Sequence, residues 1–282
     1  MRLVCIDDGV PEETPRLLSA ACAARGVAFQ PLDPRLIDFA DVTPLGAGDL
    51  LYRPAISLLA MHAEQHLYSP AAASFYADPG GPFFGYSNHM LLFERSGLPH
   101  PRTIPIHSAD HAALRRHVAT LGGLPVVVKL PGGSRGIGTM RVESFAALFS
   151  LTDLLMAQGQ TVSLAAYVPD AVHWRVTVVG RRAVAMYRNI TDPDDFRTSG
   201  SMDPADFTAD PPAGIADLAI RAVAAQRLEF GGVDILEHES GRLYVLEANF
   251  PCYFAHAQLV AGIDVAGAML DHLITKARGI CA

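Results

Sequence analysis

The chain has 282 residues, half of them hydrophobic and 18% charged, and its 29 acidic and 22 basic residues give a formal net charge of −7. This length allows one large domain or two to three closely joined lobes with a sizeable core, and the composition excludes global disorder. The acidic balance argues against general nucleic-acid binding, because proteins that bind the phosphate backbone normally present a basic face.

Signals for membrane insertion or export are missing from the sequence. No apolar run approaches the ~20 residues that span a bilayer, and Asp7 and Asp8 stand where a signal peptide would have its apolar region. The four cysteines show no C-x-x-C spacing, which disfavours a zinc site and a disulfide framework. We therefore expect a cytoplasmic protein without a membrane partner, and the sequence leaves open whether it forms a homo-oligomer.

The N-terminal part is predicted to be an α/β domain. Residues 2–6 are typical of a strand, 12–25 of a helix and 27–29 of a second strand, which together begin a βαβ unit. The turn after the first strand lacks G-x-G-x-x-G, so it is a poor dinucleotide site. Residues 69–85 are rich in proline and glycine and are predicted to be a linker.

The remainder alternates between helical and extended patterns. In its first half we predict helices at 88–96, 108–123 and 145–158 and strands at 126–130 and 137–142. In its second half we predict strands near 161–167, 173–179 and 182–188, a helix around 214–228, a hairpin at 232–249 and a final helix from Asp264 to Arg278.

Lys129, one of two lysines in the chain, ends an apolar strand and directly precedes a glycine turn (131–138). Since arginine supplies nearly all other positive charge, the retained lysine favours a site that needs a compact ammonium, although a lysine reaching to solvent is the alternative. The turn has no lysine after its glycines and leads into a strand, so it is neither a Walker A loop nor a Rossmann turn. Its backbone N–H groups could still hold phosphates, with an ordinary hairpin turn as the alternative.

The second hairpin contains a pair of carboxylates. If its turn is centred on Ser240-Gly241, Asp234 and Glu247 stand opposite each other and Asn249 lies on the same face. Two like charges in this position destabilise a sheet unless a cation lies between them. Two carboxylates and an amide oxygen suit Mg²⁺, which proteins commonly bind together with substrate phosphates. A solvated strand face is the alternative, but the strongly apolar flanks favour the metal.

Three arginines lie between the glycine turn and this hairpin. If the strands around Gly180-Arg181 form a hairpin, Arg175 and Arg188 share a face, and Arg197 follows in a loop with small hydroxyl residues. Guanidinium groups that converge on a metal–triphosphate site can hold phosphate oxygens and stabilise charge during phosphoryl transfer.

With these motifs in this order, the chain resembles the ATP-grasp superfamily, and most of all its RimK-like branch of peptide-forming ligases, over residues 86–275. The strand-lysine and phosphate lid of that branch are similar to VVVKLPGGSRGIG, and its adenine hinge is similar to AAYV. Its strand pair, phosphate loop and metal hairpin are similar to HWRVTVVGRRAVAMYR, DFRTS and GVDILEHESGRLYVLEANFPC.

The resemblance implies an α/β (α+β) ATP-grasp fold. An N-terminal Rossmann-like pre-ATP-grasp domain (1–85) would be followed by a central lobe with the lid (86–160) and a C-terminal lobe with the metal hairpin (161–282). It implies ATP contacts from Lys129, Ser134, Gly136, Gly138, Ala166, Tyr167, Val168, His173 and Arg188. It implies Mg²⁺, with Mn²⁺ as an alternative, on Asp234, Glu247 and Asn249, and catalytic phosphate-holding by Arg175 and Arg197.

The implied activity is ADP-forming ligation of a carboxylate to an amine through an acyl phosphate. Its substrate would be an amino acid or a small peptide-like molecule, joined to a second molecule or closed into a ring. The alternatives are a nucleotide-binding or regulatory relative that has lost catalysis and a small-molecule kinase on the same fold.

The chain departs from the family pattern at several positions. The lysine that usually precedes the first helix of the central lobe is absent, with Tyr86 or His89 in its place. The acidic residue expected for the ribose hydroxyls is His173, and the hinge glutamate is Ala166. Residues 250–252 replace the usual S-P-G, which predicts an altered acceptor pocket.

Overall fold

A computed structural model describes residues 1–83, 89–130, 136–192, 194–207 and 210–281. These residues contain eight α-helices and twelve β-strands, and the strands form three sheets. The helices are α1 (Glu13–Ala23), α2 (Leu58–Leu67), α3 (His89–Arg95), α4 (His111–Thr120), α5 (Phe145–Ala157), α6 (Ile215–Ala225), α7 (Ala255–Ala261) and α8 (Val265–Cys281). The strands are β1 (Arg2–Ile6), β2 (Ala28–Leu32), β3 (Asp49–Tyr52), β4 (Thr103–Ile106), β5 (Val126–Lys129), β6 (Thr139–Val142), β7 (Val162–Ala166), β8 (Val172–Val179), β9 (Arg182–Asp192), β10 (Asp195–Gly200), β11 (Phe230–Glu237) and β12 (Leu243–Asn249).

The N-terminal sheet is parallel, with strand order β2-β1-β3. Helix α1 connects β1 to β2, which confirms the predicted βαβ unit. Its assignment as a Rossmann-like pre-ATP-grasp domain stays a prediction. None of the helices in the described ranges has both the length and the apolar character needed to cross a membrane.

The segment predicted as a linker is packed into the core at its centre, where residues 72–75 are buried. Ala73 forms a parallel bridge with Leu50, and Tyr76 forms an antiparallel bridge with Leu228. The ring of Phe75, between them, is fully buried. The prediction of a linker was therefore wrong: proline and glycine indicated irregular backbone, and they carried no information about how the intervening aromatic residues pack.

The central sheet is antiparallel, with order β4-β7-β5-β6, and α4 and α5 contribute to a shared core on one face. Both helices begin at residues whose side chains accept a backbone N–H three residues later, Asp110 and Ser144. We had assigned residues 161–167 to the C-terminal lobe. Strand β7 instead pairs with β4 and β5, so the border predicted at residue 160 is wrong and falls beyond Ala166.

The C-terminal sheet is antiparallel, with order β10-β9-β8-β11-β12. Its Trp174, Val176 and Val178 side chains join a core with α6 that also contains Phe93 of α3 and Leu98. Helix α3 therefore packs with the C-terminal lobe, although we had placed it in the central lobe. Contacts between hydrophobic residues that are distant in sequence decide to which lobe α3 belongs, and local sequence patterns do not reveal such contacts.

The N-terminal sheet and the C-terminal lobe share a second core, which combines residues such as Leu3 and Leu18 with Phe230 and Leu270. Helix α8 packs beside α1, and Arg25 donates to Asp271 at 2.7 Å across this contact. These two parts of the chain therefore form a common body, while the central sheet has its own core.

Candidate active site

A cleft separates the central sheet from the C-terminal sheet. Val126 and Val128 point into the core with α4 and α5, so Val127 and Lys129 alternate onto the other face of β5. Burial lowers the pKa of Lys129, and the negative charge of Glu247 on β12 opposes this shift. Lys129 and Glu247 therefore approach each other from the two sides of the cleft.

The predicted pairing of the carboxylates is confirmed. Asp234 lies opposite Glu247, and Gly232 lies opposite Asn249, in the β11–β12 hairpin. The register shifts by one between Asp234 and Ile235, so the strands nearer the turn pair differently from our uniform register. Continued without this shift, the register near the turn would place Leu246 opposite Asp234, so the bulge restores the pairing that a turn centred on Ser240-Gly241 predicts.

Asp234 is buried and already has two cationic or polar neighbours. Arg175 donates Nη1 to Oδ2 at 2.6 Å, and Nε2 of His173 lies 3.2 Å from Oδ1. Burial alone would raise the pKa of Asp234, but Arg175 and His173 outweigh it and hold this pKa well below its usual range. Gly232 makes room for this arrangement, because a Cβ there would lie 2.9 Å from the Arg175 guanidinium.

Glu247 is open to the cleft, and Asn249 donates Nδ2 to its Oε1 at 2.7 Å. Desolvation by the surrounding protein raises the pKa of Glu247, and the neighbouring Asp234 raises it further. Arg175 neutralises Asp234, whereas the donor to Glu247 is the uncharged amide of Asn249. The site therefore has an excess of negative charge at Glu247.

These residues fit a divalent cation. The three side chains offer hard oxygen donors, and each carboxylate oxygen has two lone pairs, so Asp234 can keep its protein partners and still bind an ion. Across the described ranges, no group of three or more His, Cys, Asp or Glu side chains could hold a metal by itself. Phosphate oxygens would have to complete the coordination, as is common for Mg²⁺.

The predicted face-sharing of Arg175 and Arg188 is wrong. The β8–β9 register shifts between Thr177 and Val178, so Arg175 pairs with Tyr187 and Arg188 pairs with Trp174. Because neighbouring residues alternate faces along a strand, the register puts Arg188 on the face opposite Arg175. The Arg188 side chain is half exposed and lies 3.5 Å from Asp206.

Arg197 reaches the central lobe from β10. Its guanidinium binds both carboxylate oxygens of Asp195, at 2.6 to 2.9 Å, and Nη1 donates to the carbonyl of Gly136 at 3.4 Å. Gly136 has φ of +72°, and a Cβ there would lie 2.9 Å from Cδ of Arg197. The predicted arginine and the end of the glycine turn are therefore in contact.

The base of the glycine turn is held by backbone bonds. The N–H of Leu130 donates to Gly138 and that of Thr139 donates to Gly136. Both glycines have positive φ, which favours glycine at these positions. Ser134, the third predicted phosphate contact of the turn, lies outside the described residues.

The predicted hinge lies at the end of β7. Ala166 donates its N–H to the carbonyl of Arg102 at 2.9 Å, so this amide is not available to a base. Tyr167 lies under the guanidinium of Arg141, 4.5 Å from the ring centroid, and Val168 is half-buried. Of the predicted adenine-framing groups, the carbonyl of Ala166 and the groups of the next two residues remain.

The model of the RimK-like ATP-grasp domain matches residues 87–273. The chain belongs to this family. The match covers the central and C-terminal lobes and includes the described site residues in the order in which the motifs occur.

A probable alpha-L-glutamate ligase of Azotobacter vinelandii is 30% identical to this RimK-like chain over 203 residues, which are 67% of the chain and 65% of that protein. The chain thus spans just under two thirds of the length of this relative. The ATP-grasp ligase PsnB, solved with a minimal precursor, has a TM-score of 0.73 at 18% identity and covers 98% of this chain and 99% of its own. The D-cycloserine synthetase DcsG has the same score and identity, with 98% and 100% covered. These two structures show that the fold is ATP-grasp.

In this RimK-like protein His173 has neighbours that we did not predict. Its Nε2 faces Asp234, and its Nδ1 meets the hydroxyl of Thr198 on β10. The imidazole therefore links the β11–β12 hairpin to β10, whereas the resemblance implied a contact between His173 and ATP. Sequence reasoning also missed Gly232, although a glycine inside an apolar strand often indicates close approach of another group.

Proposed function

We propose that the protein is an ATP-dependent, ADP-forming carboxylate–amine ligase. The observation that carries this proposal is the Asp234–Glu247 pair, which concentrates negative charge in the cleft opposite Lys129. A purely structural hairpin would have no use for such a pair, because directly opposed like charges are destabilising.

Mg²⁺, with Mn²⁺ as an alternative, would be held by Asp234, Glu247 and Asn249 and would neutralise phosphate charge. Arg175 keeps Asp234 ionised and oriented. Lys129 and Arg197 would neutralise the phosphates from the two sides of the cleft, where preorganised cations stabilise developing charge without reorganisation. The γ-phosphoryl group of ATP would pass to the substrate carboxylate with release of ADP, and an amine would then attack the acyl phosphate and displace inorganic phosphate.

We propose an amino acid or a small peptide-like molecule as the substrate. The relative from Azotobacter vinelandii is named an alpha-L-glutamate ligase, which supports ligation of an amino acid to a second molecule. PsnB was solved with a precursor, which supports a peptide-like substrate. Ring closure within one molecule is the alternative that the name of the D-cycloserine synthetase favours. We further propose that the protein acts in the cytoplasm, without nucleic acid or membrane partners.

Phosphorus NMR tests the reaction class. Protein, Mg-ATP and pooled amino acids and small carboxylic acids should yield ADP and phosphate, and ATP should persist without the pool. Glu247→Gln should abolish turnover, while Glu239→Gln, in the exposed turn of the same hairpin, should leave it intact.

Three outcomes would contradict the proposal. AMP and pyrophosphate would rule out the acyl-phosphate route. A stable phosphorylated product formed without an amine would indicate a kinase. ATP binding without turnover across a broad substrate set would indicate a relative that has lost catalysis.

A further inference from the structure

The cleft has an outer end that none of the predicted phosphate contacts occupies. A cavity of about 480 Å³ lies there, between the central sheet and the β9–β10 hairpin. Arg141, Glu143 and Tyr167 line it from the central side, and Asp192 and Phe196 are among the residues that line it from the hairpin. It therefore lies between the two lobes, as the rest of the cleft does.

Arg141 belongs to the face of the central sheet that lines the cleft. It pairs with Val127, two residues before Lys129, and so shares the face of these residues. Its guanidinium lies over the ring of Tyr167 at 4.5 Å from the centroid and donates to the Tyr167 hydroxyl at 3.3 Å. Phe196 meets Tyr167 edge-on, with ring centroids 6.5 Å apart. The wall of the cavity is therefore a planar cation supported by aromatic rings.

The charges at this end disfavour phosphate. Arg141 is already paired with Glu143 at 2.8 Å, and Asp192 and Asp194 add further negative charge to the cavity. Lys129, two residues beyond the β5 partner of Arg141, supplies positive charge opposite Glu247. Arg197 borders the cavity, but it is paired with Asp195, another residue of the lining. A nucleotide would therefore lie with its triphosphate toward Lys129 and its uncharged part toward Arg141.

We infer that Arg141 recognises the base of the nucleotide. One face of the guanidinium rests on Tyr167 and the other provides a flat cationic surface for a purine, since bases stack on arginine planes as they do on aromatic rings. The nearby carboxylates are acceptors for ribose hydroxyls, which are hydrogen-bond donors. This inference rests on the proposed use of ATP and goes beyond it, because it assigns the base to a residue outside the predicted set.

Calorimetry on the full chain measures the affinities for Mg-ATP and for inorganic tripolyphosphate with Mg²⁺. Because tripolyphosphate has no base, the comparison separates recognition of the base from recognition of the phosphates. Arg141→Ala should weaken ATP binding by about tenfold, the effect of losing one stacking contact, and leave tripolyphosphate binding unchanged. Arg141→Lys should weaken ATP binding as well, because it keeps the charge and loses the plane.

Arg115→Ala is the matched control. Arg115 also makes a cation–π contact, 4.4 Å from the centroid of Phe145, but on α4, which packs on the opposite face of the central sheet. This variant should bind both ligands like the wild type.

Unchanged ATP affinity in Arg141→Ala, or an equal loss for ATP and tripolyphosphate, would overturn the inference while leaving the proposed function standing. Failure of the wild type to bind ATP at all would overturn both.

Discussion

The two lysines of the chain lie in different surroundings. Lys129 faces the cleft, and Lys276 on α8 donates its Nζ to the carbonyls of Ser74 and Tyr76 and to Glu229 at 2.5 to 3.0 Å. An ammonium presents three donors around one atom, whereas a guanidinium spreads its donors in a plane. The scarcity of lysine in the sequence led us to single out Lys129 alone, whose role in a site stays a prediction, and the contacts of Lys276 were not predicted.

Lys276→Arg should destabilise the protein although the charge is kept. Three acceptors would lose well-directed donors, and each unsatisfied group costs about 1–3 kcal/mol, so we expect a loss of about 2 kcal/mol or more in the free energy of unfolding, measured in urea. Arg278→Lys, two residues along the same helix and exposed, should change it by no more than about 0.5 kcal/mol. Equal stability of Lys276→Arg and the wild type would contradict this account.

Glu247→Gln should stabilise the protein in the absence of nucleotide. The substitution removes a charge opposed to Asp234, a pair worth about 0.2–1 kcal/mol, and its carbonyl oxygen can still accept from Asn249. The same variant should lose the rise in Tm that Mg-ATP gives the wild type. Thermal unfolding with and without Mg-ATP measures both effects, and a lower Tm without ligand would show that the carboxylate pair is not strained.

At the level of elements, two β-bulges decide the outcome of two predictions, the pairing of Asp234 with Glu247 and the shared face of Arg175 and Arg188. The sequence motifs placed Asp234 and Glu247 in one hairpin, and a bulge restored the register that pairs them. The other bulge separated Arg175 from Arg188, which the same kind of counting had joined. Bulges depend on how a strand packs and twists against its neighbours, so turn-centred counting could not predict either one.

Gly232→Ala should disrupt the site through strand β11. The added methyl would lie 2.9 Å from the Arg175 guanidinium, so Arg175 must move from Asp234 or the strand must shift, at a cost of about 1–3 kcal/mol. Gly279→Ala makes the same change near the end of α8, where nothing lies within 4 Å, and should stabilise by up to about 1 kcal/mol. Chemical denaturation should therefore show a lower free energy of unfolding for Gly232→Ala and a higher one for Gly279→Ala. An unchanged free energy of unfolding for Gly232→Ala would contradict the view that a glycine is needed beside Arg175.

On the scale of the whole molecule, the packing divides the chain differently from its order in sequence. The motifs predicted the ATP-grasp fold and the order of its parts. They could not predict that α3 packs with the C-terminal lobe or that β7 completes the central sheet, because both depend on contacts between distant segments. One face of the N-terminal sheet shares a core with the C-terminal lobe, and its other face packs with α2 in a core of its own. The central sheet packs with α4 and α5.

This division predicts two cooperative units. Leu270 lies in the core that the N-terminal sheet shares with the C-terminal lobe, and Leu148 lies in the central core, both fully buried. Leu270→Ala and Leu148→Ala should each cost about 2–5 kcal/mol in their own unit. The single tryptophan, Trp174, is buried in the C-terminal sheet, so its fluorescence follows one unit alone.

In urea, Leu270→Ala should shift the Trp174 transition to lower concentration and should lower amide protection in β1 and β3 together with β8 and β11. Leu148→Ala should lower protection in β5 and β7 and leave the Trp174 transition near its wild-type midpoint. Hydrogen exchange read by mass spectrometry locates each loss, because amide groups exchange through the opening of their own cooperative unit. If Leu148→Ala moved the Trp174 transition as far as Leu270→Ala does, the three sheets would unfold as one unit. The division of the molecule into two cooperative units would then be wrong.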